Sequence, residues 1–110
     1  MTPELQDKLL KKYPKFFAQK ELPPAMTCLC WGFECKDGWY DLIEEVAKAA
    51  EKYNNDNPGI PENDIQAAQI KEKYGCLRIY VNHAPDYIYD LLDKVERKSA
   101  KICEDCGQLG

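Results

Sequence analysis

From Asp37 to Tyr53 the side chains Trp39, Leu42, Ile43, Val46, Ala50 and Tyr53 recur at helical spacing, and no other stretch restricts the fold as tightly. A helix with one apolar stripe is stable only when something covers that stripe, so the flanking segments must supply a core. Asp37 stands where an N-cap belongs, and Glu44 and Glu45 lie near the start, where the helix dipole suits acidic side chains. The run Asn54-Asn55-Asp56-Asn57-Pro58-Gly59, prolonged by Pro61, ends the pattern in a turn or loop.

Upstream, Thr2 with Pro3 after it predicts a first helix carrying Leu5, Leu9 and Tyr13 on one stripe, ended by Pro14. Phe16 and Phe17 anchor the next segment, and Pro23-Pro24 reads as an extended link. Met26 to Glu34 reads as a strand with Leu29, Trp31 and Phe33 on the core face and Cys28, Cys30 and Gly32 on the other. Downstream, Ile65 to Tyr74 admits two readings. Its alanines and glutamines suit a helix capped by Asp64, while the alternation of Ile70, Glu72 and Tyr74 with Lys71 and Lys73 suits the first arm of a hairpin, the preferred reading. Cys76 to Val81 is a strand either way. Asp86 then opens a last helix with Ile88, Leu91, Leu92, Val95 and Ile102 on one stripe. The expected fold is a small α+β domain spanning residues 1–110, with a mainly antiparallel sheet of two to three strands covered by about three helices.

A net charge of −4 and a pI near 5.0 disfavour nucleic acid as a partner, because phosphate binding needs a dominant basic field. No apolar run approaches the roughly 20 residues of a membrane span. The opening Met1-Thr2-Pro3-Glu4-Leu5 lacks the charged and apolar regions of a signal peptide, so a cytoplasmic location is expected. In a reducing compartment the six cysteines read as core thiols, metal ligands or redox groups rather than disulfides.

Cys103-x-x-Cys106-Gly107 is half of a zinc ribbon or knuckle, since two thiolates on a tight turn grip one tetrahedral ion. Cys28 and Cys30 are the leading candidates to complete it, with Cys35, Cys76 and His83 as further donors; free core thiols are the simpler reading of Cys28, Cys30 and Cys35, and free or fraying thiols that of the terminal pair. A redox role is opposed by the position of the dithiol after a helix rather than at a helix N-terminus. His83 is the only histidine, in a loop after a strand, and no catalytic motif accompanies it. No catalytic residue is assigned. On the hairpin reading Lys71, Lys73, Arg78 and Tyr80 share one sheet face, giving a basic and aromatic patch on an acidic chain. Trp39, with the N–H groups of Asp37-Gly38-Trp39, extends that candidate ligand-binding set for an anion or nucleotide.

Three phrases, Gly32-Phe33-Glu34-Cys35-Lys36-Asp37-Gly38-Trp39, Gln69-Ile70-Lys71-Glu72-Lys73-Tyr74-Gly75-Cys76-Leu77-Arg78-Ile79-Tyr80 and Ser99-Ala100-Lys101-Ile102-Cys103-Glu104-Asp105-Cys106-Gly107, together resemble a family of small uncharacterised proteins of tailed phages and prophages. The resemblance covers the chain from Trp31 onward and implies a phage setting, without implying an activity. In longer relatives a second cysteine pair follows the first; this chain lacks it, which implies a borrowed ligand set or a shortened form. The expectation is a non-enzymatic accessory protein acting by binding, host-directed or anti-defence, that sequesters a small anionic ligand or nucleotide or occludes a host protein. The alternatives are a zinc-stabilised structural or nucleic-acid-associated module and, third, an enzyme centred on His83 or the terminal dithiol.

Overall fold

The computed structural model describes residues 1–22, 27, 29, 32–104 and 107. Its centre is α2 (Tyr40–Asp56), the helix expected from the apolar stripe, with Ile43, Val46, Ala47 and Ala50 fully buried. Its start differs from expectation. A 3-10 turn over Asp37–Trp39 leads into α2, and the Asp37 carboxylate accepts the Thr2 N–H at 2.7 Å instead of capping its own helix. The N-terminal segment holds this carboxylate, and neither the 3-10 turn nor α2 has a side-chain cap.

Helix α1 (Pro3–Lys12) begins with proline in its first turn, where a missing N–H leaves no bond unmade, and buries Leu9. Helix α3 (Asp86–Ser99) buries Ile88 and Val95, while Ile102 lies beyond its end and still packs against the core. One apolar cluster joins these helices to Phe16, Phe17, Leu29, Phe33, Ile65, Ile70 and Leu77.

The hairpin reading of the ambiguous segment is the observed one. Strands β1 (Ala67–Lys73) and β2 (Cys76–Val81) form a two-stranded antiparallel sheet. Tyr74 and Gly75 connect them with φ of 54° and 80°, the paired positive values that match strand twist in a two-residue loop. The register sets Gln69 opposite Tyr80, Ile70 opposite Ile79, Lys71 opposite Arg78 and Lys73 opposite Cys76, with an irregularity between Ala67 and Gln69.

Of the strand expected over Met26 to Glu34, the described residues 27, 29 and 32–34 lie in no strand. Leu29 lies in a 3-10 turn, Gly32 N–H donates to the Leu29 carbonyl at 2.8 Å, and Gly32 takes φ of 89°. Among the described residues of this stretch, Glu34 alone pairs with the sheet, through a parallel bridge to Lys71. Leu29 and Phe33 are nonetheless buried as expected, at 0% and 5% exposure, whereas Trp31, Cys28 and Cys30 lie outside the described residues. Among the described residues no helix is long and apolar enough to cross a membrane.

Candidate functional site

Because residues opposite one another in an antiparallel pair share a face, the register brings Lys71, Lys73, Arg78 and Tyr80 together, with Gln69 and Cys76. The four side chains differ in what they can do there. Arg78 turns toward α3 and pairs with Glu96 at 2.8 Å, and its Nε is buried without a hydrogen-bond partner. Its charge is therefore already matched. Lys71 is half-buried and Lys73 is exposed, and neither forms an ion pair among the described residues. Lys73 Nζ sits 5.7 Å from the ring centroid of Tyr74, a cation–π distance, and Tyr74 is 88% exposed. The cationic character of this face thus comes from the two β1 lysines rather than from Arg78.

Trp39 does not belong to this face. It is 1% exposed, and its indole Nε1–H donates to the Ile102 carbonyl at 3.1 Å. The N–H groups beside it are also engaged: Gly38 donates to the Glu104 carbonyl at 2.6 Å and Trp39 to the Lys36 carbonyl at 3.4 Å. The start of α2 therefore receives the C-terminal segment, and no anion cradle remains there. The cause is the apolar stripe itself, which begins at Trp39 and turns that side chain inward.

Of the cysteines read as metal ligands, Cys103 is described and half-buried, while Cys106, Cys28 and Cys30 lie outside the described residues. The turn they were read from is partly visible. Gly107 N–H donates to the Cys103 carbonyl at 2.8 Å with Gly107 at φ of 78°, the left-handed conformation that glycine was expected to permit. Among the described residues no three His, Cys, Asp or Glu side chains gather around a common point. Cys35 is buried, and desolvation pushes its thiol up to about 12, which keeps it protonated and unreactive at ordinary pH. His83 is exposed, its ring Nε2 3.3 Å from the Glu62 carbonyl oxygen.

A groove of about 290 Å³ runs beside β2 and escaped the sequence reading. Leu77, Arg78, Ile79, Tyr80 and Val81 line one wall, and Tyr89, Leu92, Asp93 and Glu96 of α3 line the other. Successive strand residues point to opposite faces, so a wall made of five in a row is the strand's edge. Ser99 closes one end: its Oγ accepts the Leu77 N–H at 2.7 Å and donates to the Glu96 carbonyl at 2.6 Å. The sequence signal was the continuation of the α3 stripe from Val95 to a serine four residues on.

Comparison with protein-family models, with curated proteins and with solved structures finds no significant match to this chain. What the chain does is therefore argued from its own residues.

Proposed function

We propose that this chain acts by binding, as a phage accessory protein whose contact surface is the lysine-bearing face of β1 and β2, and that it occludes a host protein through an acidic patch on that partner. The observation that carries the reading is the pair Lys71 and Lys73, two cations without ion-pair partners among the described residues, beside the exposed rings of Tyr74 and Tyr80. Aromatic side chains flanking free cations supply both apolar area and charge steering, the combination that interfaces use. A projecting sheet face suits a protein surface better than a nucleotide, which needs a concave site that buries most of it. The resemblance of the three sequence phrases supports the phage setting, and the lack of any catalytic motif supports binding over chemistry.

The test is capture from host lysate with the parent chain and with a Lys71→Glu/Lys73→Glu variant, both checked for folding by circular dichroism. A captured host protein is then titrated against each at two salt concentrations. Affinity should fall at least tenfold in the variant, and the parent's affinity should weaken with salt, as a charge-steered contact requires. Equal affinity of both chains for that protein overturns the lysine-face assignment. Loss of a bound small anion rather than a protein in the variant would replace the partner class.

A further inference from the structure

The two outer edges of the sheet are treated differently. Along β1 the outward groups are used: Ala67 N–H donates to the Phe16 carbonyl, the Ala68 carbonyl accepts the Thr27 hydroxyl, the Ile70 carbonyl accepts Glu34 N–H, and Glu72 N–H donates to the Glu34 carbonyl. Since Ile70 and Glu72 face away from β2, the bonded pairs are Lys71 with Arg78 and its alternates, which leaves the backbone groups of Leu77, Ile79 and Val81 facing outward. Leu77 N–H is taken by Ser99. Among the described residues no partner meets the N–H or C=O of Ile79 or the N–H of Val81.

We infer that the groove between β2 and α3 receives an extended, cationic segment of another protein, which pairs its backbone with Ile79 and Val81 as an added strand. An open edge with alternating donors and acceptors is satisfied by extended backbone and by little else, and the groove places that edge beside a helix whose side chains can read the incoming residues. Charge gives the chemistry of the occupant. Asp86, Asp90 and Asp93 follow one another along α3 at helical spacing, all exposed, and Asp93, the one of the three that lines the groove, sets an acidic group at its rim. Among the described residues only Asp93 of the three has a cation near it, Arg97 at 3.4 Å. Ile79, Val81 and Leu92 supply apolar wall for the residues between the cations.

A second copy of this chain fits less well. Antiparallel pairing of two β2 strands about Ile79 would set Leu77 against Val81 and need the Leu77 N–H that Ser99 already holds, and it would bring two acidic α3 rows together on chains that each carry −4. The groove shares Arg78 and Tyr80 with the lysine face but includes neither Lys71 nor Lys73, so loss of the two lysines and loss of the groove can be told apart.

The experiment uses the whole chain and a short synthetic peptide alternating lysine and valine, with the glutamate and valine counterpart as control. Binding is followed by peptide fluorescence anisotropy and by amide hydrogen exchange. The basic peptide should bind and slow exchange at Ile79 and Val81 at least tenfold, and the acidic one should do neither. Val81→Pro, which removes an outward N–H without a partner among the described residues, should weaken binding about fivefold, the effect of one lost hydrogen bond. If that variant does not fold, Asp90→Lys/Asp93→Lys on the exposed face of α3 gives the second reading, with a loss of the same order expected. Unchanged exchange at Ile79 and Val81 in saturating basic peptide overturns the proposal, as does binding that both variants leave intact. Protection of those amides that rises with protein concentration in the absence of peptide would assign the edge to a second copy instead.

Discussion

A methyl group added at Gly38 would stand 2.2 Å from the Cys103 carbonyl oxygen and 2.4 Å from that of Glu104. Both are backbone atoms, so no side chain can swing aside to make room. Gly38 is there for close approach: it lets the C-terminal turn lie on the first turn of α2, where Gly38 N–H donates to Glu104 and Gly107 comes against the Gly38 backbone. Gly38→Ala is therefore expected to lower stability by about 1–3 kcal/mol, the usual effect of overpacking, or to release the tail. Urea unfolding measures the first outcome and limited proteolysis after Lys101 the second. A variant as stable as the parent, with Lys101 still protected, would contradict the contact. None of this was legible in the sequence, where Gly38 reads only as one of the helix-start N–H groups offered to an anion, because its neighbours come from the far end of the chain.

At the scale of elements, single polar side chains tie helices to the ends of strands. Asn54, 1% exposed in the last turns of α2, donates through Nδ2 to the Ile65 carbonyl at 3.0 Å and accepts the Ile65 N–H at 2.8 Å. It pairs with the chain just before β1 as another strand would. Glu51 does similar work one turn earlier, accepting the Phe16 N–H at 2.9 Å. Asn54→Ala leaves both groups of a fully buried residue unmatched and is expected to destabilise by about 2–4 kcal/mol. Asn54→Asp keeps the acceptor but sets a buried carboxylate against the Ile65 carbonyl oxygen, so near neutral pH it should be at least as destabilising as alanine in the same chemical denaturation series. Equal stability of all three would show that Ile65 finds other partners. Apolar periodicity had predicted α1, α2, α3 and the hairpin, since those stripes report which face is buried. It failed between Met26 and Glu34 because Leu29 and Phe33 can be buried from a turn as well as from a strand, and the left-handed Gly32 that decides between them is not a periodic signal. The candidate face followed from the hairpin register. The Arg78–Glu96 pair and the buried Trp39 did not, because each depends on which helix packs nearby.

Across the whole molecule, a polar cluster outside the apolar core joins the end of α1 to α2, and it contributes to how the fold responds to acid. The Glu44 carboxylate accepts from Lys12 Nζ at 2.9 Å and from the Tyr13 hydroxyl at 3.1 Å. The Lys12 hydrogen bond, helped by that of Tyr13, holds Glu44 below its ordinary 4.5 despite partial burial, which acts the other way. A carboxyl that titrates lower in the folded chain than in the unfolded one contributes stability above its unfolded value, and loses it as pH falls through the folded value. Tyr13 bounds the same cluster on the alkaline side. Burial, then the bond to Glu44, raises its hydroxyl above 10.0, so what it adds is complete below that value and declines as pH rises through the folded one. Replacing Glu44 with glutamine should therefore lower stability near neutral pH, where the charged carboxylate is matched, and the gap to the parent should close as the pH is taken well below 4.5. Urea midpoints for the two chains across that range measure the gap directly. A gap that stays constant with pH would mean that Glu44 acts through shape or neutral hydrogen bonding rather than charge. One that widens in acid would reverse the sign of the shift, and with it the assignment of Lys12 as the group that holds α1 in place.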